Sequence, residues 1–294
     1  MLGETGLMPS MDHYCSRKSL TRRLSLAVGL GCVVFCSNQL GFLNPAAAQS
    51  KEQLTPIQRE IERQHQRLSS SDKEEQRDAL MRLGNMKRPD ASRVAAEKLN
   101  DVAPMIRVAA MHAITSLPQS EAVERLTPLL QDKLEFVRRE AAYSLGEVRS
   151  RTAIETLSNS LINDKESSVR AAAAIALGEI RDEAAVNVLT QVLSGNSSAK
   201  GKKSKKTEND FVLRAAAQAL GLIRSRAAVP VLVSVLSNET MPSDVRREAA
   251  TSLGAIGDPS AEPALRAALH SADPYLSDAA RSALRALAMA RRTN

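Results

Sequence analysis

Ser168-Val169-Arg170-Ala171-Ala172-Ala173-Ala174-Ile175-Ala176-Leu177-Gly178-Glu179-Ile180-Arg181 reads as a short helix built mainly of alanine. Alanine has the highest helix propensity, and its small side chain lets a second helix come close. The same pattern returns at 136–149, 212–224 and 245–257, and more loosely at 75–87, 106–118 and 276–288. The residues in register with Gly178 are Gly84, Thr115, Gly146, Gly221, Gly254 and Arg285, spaced by 31, 31, 32, 43, 33 and 31 residues. A recurrence of that length marks stacked units, none of which can bury its apolar face alone. The expected fold class is therefore all-α: an α-solenoid of stacked two-helix repeats. The glycine is expected to be the point where the chain turns toward the next unit, because a helix exit favours its permissive backbone.

Upstream of each alanine-rich helix lies a second pattern, Ala-x3-Leu-x3-Leu. It is seen at Ala122, Leu126 and Leu130; Ala153, Leu157 and Leu161; Ala185, Leu189 and Leu193; Ala228, Leu232 and Leu236; and Ala261, Leu265 and Leu269. Residues four apart share one helical face, so this is the first helix of each unit. Between the two helices an aspartate precedes an arginine by six residues: Asp101 and Arg107, Asp132 and Arg138, Asp164 and Arg170. Arg246 continues the row. Recurrence at the repeat period points to structure: the aspartate caps a turn and the arginine reaches the neighbouring unit.

Val-Arg-x2-Ala-Ala-x2-Leu-Gly-x-Ile/Val with an upstream aspartate resembles HEAT repeats of the phycobilisome-lyase (PBS lyase) HEAT-like type. The resemblance spans about residues 72–290. It implies a solenoid whose second helices line a concave surface, and it leaves function open, because one fold serves many tasks. Deoxyhypusine hydroxylase, a HEAT-type enzyme, binds two irons through His-Glu pairs. In this chain His65, His112 and His270 are each followed by a residue other than Glu, so that activity is not carried over. His112 falls in register with Ile175, which predicts a half-buried packing role.

The 43-residue interval holds an insertion at 194–210, rich in Gly, Ser and Lys, between the first helix ending at Leu193 and a second helix resuming near Phe211. Such a composition cannot pack a core. Its lysines, Lys200, Lys202, Lys203, Lys205 and Lys206, are candidate contacts for an anionic surface such as phospholipid headgroups, the alternative being a solvated loop.

The amino-terminal part differs from the rest. Arg17, Lys18, Arg22 and Arg23 form a basic segment, 24–36 is an uncharged apolar run, and Ala46-Ala47-Ala48 has the small-x-small pattern of a signal-peptidase site. Residues 1–48 are thus expected to be a signal peptide cleaved after Ala48, giving an exported, periplasmic or extracellular chain. Anchoring in the membrane by the leader is the alternative. Pro45 and the polar Ser37-Asn38-Gln39 oppose it, because they interrupt the run of about 20 apolar residues that a span needs. Residues 49–71 are expected to form a capping helix, roughly 51–68. Ser71 and Glu74 have the spacing of a capping box for the next helix. The repeat array then fills 72–294.

Cys15, Cys32 and Cys36, the three cysteines, all lie in the leader. A chain cleaved after Ala48 has no disulfide, thiolate metal site or nucleophilic cysteine. Beyond residue 48 there are 36 Lys plus Arg against 31 Asp plus Glu, too mild an excess to point to nucleic acid. Aromatics are 2% and tryptophan is absent, which disfavours the base-stacking platform of single-strand binders. No Ser/His/Asp constellation, phosphate loop or metal-ligand spacing stands out, so no catalytic, metal or cofactor site is expected. The leading expectation is an exported, non-catalytic scaffold that binds a protein partner on its concave face. The alternative is a subunit of a chromophore (bilin) lyase or isomerase.

Overall fold

The computed structural model describes residues 54–195 and 208–293, all within one compact unit, Gln53–Asn294. The expected leader, 1–48, lies outside the described residues. These hold α-helices and short 3-10 turns and no strand. The helices are α1 (Pro56–Arg67), α2 (Lys73–Asn85), α3 (Pro89–Ala96), α4 (Pro104–Ala113), α5 (Gln119–Leu126), α6 (Glu135–Val148) and α7 (Ile154–Asn163). They continue as α8 (Ser167–Ile180), α9 (Val186–Leu193), α10 (Asp210–Ile223), α11 (Val229–Ser237), α12 (Ser243–Ile256), α13 (Glu262–Ala268) and α14 (Pro274–Thr293). Odd-numbered helices are the first helices of the repeats and even-numbered ones the second. Each second helix packs on the first helix of its own repeat and on the second helices before and after it.

The Ala-x3-Leu-x3-Leu residues are buried between these layers, Leu269 at the end of the array being only half-buried. The capping helix is shorter than expected. It starts at Pro56 because the Thr55 side chain and Gln58 form a reciprocal capping box, with Pro56 in the first turn. At α2 the cap is Asp72, whose carboxylate accepts from the Glu74 amide at 2.9 Å, and not the expected Ser71.

The glycines do something other than turn the chain. Gly146, Gly178, Gly221 and Gly254 lie inside their helices, and the left-handed exit comes three residues later, at Arg149, Arg181, Arg224 and Gly257 (φ 53°, 57°, 60° and 77°). What the glycine permits is close approach. A Cβ on Gly178 would lie 2.7 Å from the Cα of Ala219 on the next second helix, and one on Gly146 would lie 2.8 Å from that of Ala176. Gly84 meets Ala113, Gly221 meets Ser252 and Gly254 meets Ala283 in the same way. The partner always stands two residues before the next register position, so the helices interlock backbone to backbone.

The sequence departs from this rule in three places. Thr115 replaces the glycine after α4, and opposite it Ser144 is buried with an unpartnered hydroxyl. In the regular arrangement, Ser252 donates to the Ala217 carbonyl at 2.8 Å. At the ends of the stack the interlocking positions hold arginine: Arg82 where the small residue would be on α2, and Arg285 where the glycine would be on α14. Both are exposed, so neither end offers the close approach to a further repeat.

The aspartate–arginine row ties the turns together. Arg138 donates to the Asp132 backbone carbonyl of its own repeat at 3.0 Å and to both carboxylate oxygens of Asp164 in the next at 2.7 and 2.9 Å. Arg107 joins the Asp101 carbonyl to the Asp132 carboxylate likewise. Each aspartate also accepts from a backbone amide two residues on, as in an Asx turn. Burial pushes the Asp164 carboxyl up. The Arg138 bonds, the Glu166 amide and the charges of Arg138 and Arg170 outweigh it, holding the group below the usual carboxylate range. In the fifth repeat the row changes: Leu213 stands in the arginine position and Asn238 in that of its aspartate partner, so charge is lost from both sides together.

Candidate interaction face

Counting back from the glycine register locates the surface that the second helices present. Residues ten, seven and three positions before it lie about three turns, two turns and one turn earlier on one side of each helix. Ten before are Glu74, Met105, Phe136, Ser168, Phe211, Asp244 and Tyr275; seven before are Arg77, Val108, Arg139, Ala171, Arg214, Arg247 and Asp278; three before are Met81, His112, Tyr143, Ile175, Gln218, Thr251 and Ser282. Phe136, Tyr143, Phe211 and Tyr275 are all the aromatic residues among the described residues, and none belongs to the buried core. Phe211 is 63% exposed and Tyr275 70%. Arg214 stacks over the Phe211 ring at 5.6 Å and Arg247 over the Tyr275 ring at 5.1 Å. Arg247 also donates to Asp273 at 2.8 Å. A core filled with alanine and leucine has no room for rings, which explains half of this distribution. Their gathering on one exposed face is the other half.

Three grooves follow the face. The first, about 430 Å³, lies between α2 and α4 beside Met81. The second, about 590 Å³, runs over α4, α6 and α8 and is polar: Glu140, Glu147 and Glu179 line it with His112 and Arg149. His112 is exposed there, 3.7 Å from Glu140, and not half-buried as expected, because its register faces outward: Met81, Gln218 and Thr251 in the same register are exposed too. Arg149 donates to Glu179 at 3.2 Å.

The third groove, about 440 Å³, lies over α8 between α6 and α10. Its floor is small because α8 carries Ser168 and Ala171 in the registers where its neighbours carry Phe and Arg. Tyr143 and Phe211 form its walls, and Arg139 and Arg214 flank it. Among the described residues Arg139 forms its ion pair with its chain neighbour Glu140, at 3.3 Å, and Arg214 makes no close ion pair. Glu135 stands nearby and accepts from the Ser168 hydroxyl. On the next helix Glu248 is half-buried, and burial pushes its carboxyl up against the opposing charge of Arg214.

Lys200, Lys202, Lys203, Lys205 and Lys206 lie outside the described residues. Glu208, where the described residues resume, accepts from Arg170 at 2.6 and 3.1 Å, taking the place of the aspartate in the row. The helices described on either side of the expected insertion are α9, ending at Leu193, and α10, starting at Asp210. Among the described residues no three His, Cys, Asp or Glu side chains gather as a metal site would require. No helix among them is long and apolar enough to cross a membrane.

The family described as HEAT repeats matches at residues 61–144, 135–200 and 202–285. None of the curated proteins matches. Among solved structures, the complex of CpcE and CpcF of phycocyanin lyase from Nostoc is similar. It shows 23% identity, with 81% of this chain and 95% of that chain covered, at a TM-score of 0.47. Human deoxyhypusine hydroxylase in complex with glycerol is similar at 19% identity, covering 83% of this chain and 99% of that one, at a TM-score of 0.38. These likenesses concern the fold alone.

Proposed function

This chain belongs to the HEAT-repeat family, and on that premise we propose that it is an exported, non-catalytic scaffold holding a protein partner along its second-helix face. One observation carries the reading: every aromatic side chain of the described residues lies on that face, outside the buried core, two of them under arginine. Aromatic residues and arginine are the side chains most enriched at the energetic centres of protein interfaces. Export rests on the basic segment, apolar run and Ala46-Ala47-Ala48 of the leader. On the same reading, the five lysines of the insertion add a weak, salt-sensitive contact to an anionic leaflet.

The test is site-specific photo-crosslinking in envelope preparations. A photoreactive residue at Phe211 or Tyr275 is expected to capture one discrete partner, and the same residue at the exposed Glu155 on α7 is not. Equal capture from both faces would remove the assignment. Covalent transfer of a bilin to an acceptor protein by the purified chain would overturn the non-catalytic part. A mature amino terminus other than Gln49 would correct the cleavage site.

A further inference from the structure

The groove over α8 has a composition unlike the other two. Its floor, Ser168, Ala171 and Ile175, is made of small and aliphatic residues, and its walls, Tyr143 and Phe211, are aromatic. The charged residues lining it are Arg139 and Arg214, whereas the groove over α4, α6 and α8 is lined by three glutamates. Phe136 and Arg139 on α6 hold the same registers as Phe211 and Arg214 on α10, and the groove itself is flanked by Arg139 and Tyr143 on one side and by Phe211 and Arg214 on the other. Arg214 makes no close ion pair among the described residues, the half-buried Glu248 acting on it only through its charge, and its guanidinium lies over the Phe211 ring, whose face leaves the N–H groups at the guanidinium edge to donate. Guanidinium binds carboxylate by paired, charge-assisted hydrogen bonds, and the aromatic walls suit an aliphatic side chain beside it.

We infer that this groove is the docking site for an acidic segment of the protein partner, with a glutamate or aspartate side chain between Arg139 and Arg214 and a neighbouring apolar side chain on Ala171 and Ile175. The inference rests on the scaffold reading and names the chemistry of the occupant. A recessed floor bounded by two aromatic walls favours a peptide over a lipid headgroup layer, which needs an open cationic surface.

The probe is a short fluorescein-labelled peptide in which glutamate alternates with leucine, titrated with the purified chain and followed by fluorescence anisotropy. Its binding is expected to weaken as salt is raised. In the Arg139→Gln/Arg214→Gln variant, binding is expected to fall by at least about tenfold, because two charge-assisted contacts are lost. Ala171→Trp keeps both charges but fills the floor, and a similar loss is expected. Arg181→Gln, on an exposed residue outside the groove, is expected to bind as the parent does. Circular dichroism checks that the variants stay helical. Should Ala171→Trp unfold, the double variant alone decides, since it removes only charges at the surface. Absence of binding by the parent chain, equal binding of glutamine or lysine counterparts of the peptide, or unchanged binding by the double variant would each overturn the inference. Arginine-dependent binding to phosphatidylserine vesicles without peptide binding would do the same and would assign the arginines to lipid. If the peptide fails while crosslinking at Tyr275 still captures a partner, only this inference falls and the scaffold reading stands.

Discussion

Replacing Gly178 with alanine separates two physical roles of a helical glycine by the sign of the result. In an open helix interior, glycine to alanine stabilises by about 0.8–1 kcal/mol, because alanine loses less backbone entropy. Here the added methyl would sit 2.7 Å from the Cα and 2.9 Å from the Cβ of Ala219. The nearer atom is backbone and cannot rotate away, so α8 and α10 must separate by several tenths of an ångström. Overpacking of this kind costs about 1–3 kcal/mol, and parting two otherwise buried helices belongs near the upper end. Subtracting the propensity gain leaves a net destabilisation of about 1–2 kcal/mol. Removing the Ala219 methyl as well should restore little, since the added methyl would still press on the main chain of α10. Urea unfolding followed by circular dichroism measures the shift. The clearest form of the experiment places Gly178→Ala beside an alanine-to-glycine exchange at an exposed helical position, which must lose stability for the opposite reason. A Gly178→Ala midpoint equal to or above that of the parent would show that the helices do not interlock at this residue.

The remaining predictions use the same unfolding assay. Leu177→Ala, at a fully buried seam residue, should cost about 2–5 kcal/mol. Glu179→Ala removes only a surface pair with Arg149 and should cost under about 1 kcal/mol, so comparable midpoints would contradict the assigned helical faces. Asp164→Asn leaves Arg138, 7% exposed in its side chain, without its charged partner and should cost about 3–5 kcal/mol. Because the Asp164 carboxyl titrates below its unfolded value, its contribution is complete above about pH 4 and lost as the pH falls further. Parent and variant midpoints should therefore converge in acid, and a constant gap would refute the coupling. Arg181→Gly relieves a left-handed backbone in a residue with a Cβ while freeing the unfolded chain, so it should raise stability by less than about 1 kcal/mol.

The sequence carried the fold in its spacing, because every repeat solves the same burial problem with the same residues at the same intervals. It was less plain about why a residue is small. Gly178 near a helix exit reads as a turn until Ala219, two residues before the next register position, is known to lie against it. The signal was present in Arg149, Arg181 and Arg224, which sit three residues past their glycines and make the turn themselves. The groove over α8 was hidden for a related reason. Phe136 and Phe211 are 75 residues apart in the chain and share a surface only through their common offset from the register. Aligning the repeats on the glycine would have placed them side by side with Ser168 between. His112 misled because it was matched to Ile175 alone, whereas Met81, Gln218 and Thr251 in the same register are polar or exposed.

The interlocking glycines also make the stack a gauge. Two consecutive meetings, Gly146 with Ala176 and Gly178 with Ala219, set the distance from α6 to α10 and with it the gap between Arg139 and Tyr143 on one side and Phe211 and Arg214 on the other. Where leucines meet, a change of rotamer can open or close a seam. Where main chain meets main chain there is nothing to re-arrange, and the jaws on either side of α8 are held at a fixed aperture before any ligand arrives. An occupant of the right width is then spared the entropic cost of ordering its receptor, and one of the wrong width cannot be accommodated by adjustment. Specificity on this face is thus a matter of calibre, written in the smallest residues of the chain and read out by the largest.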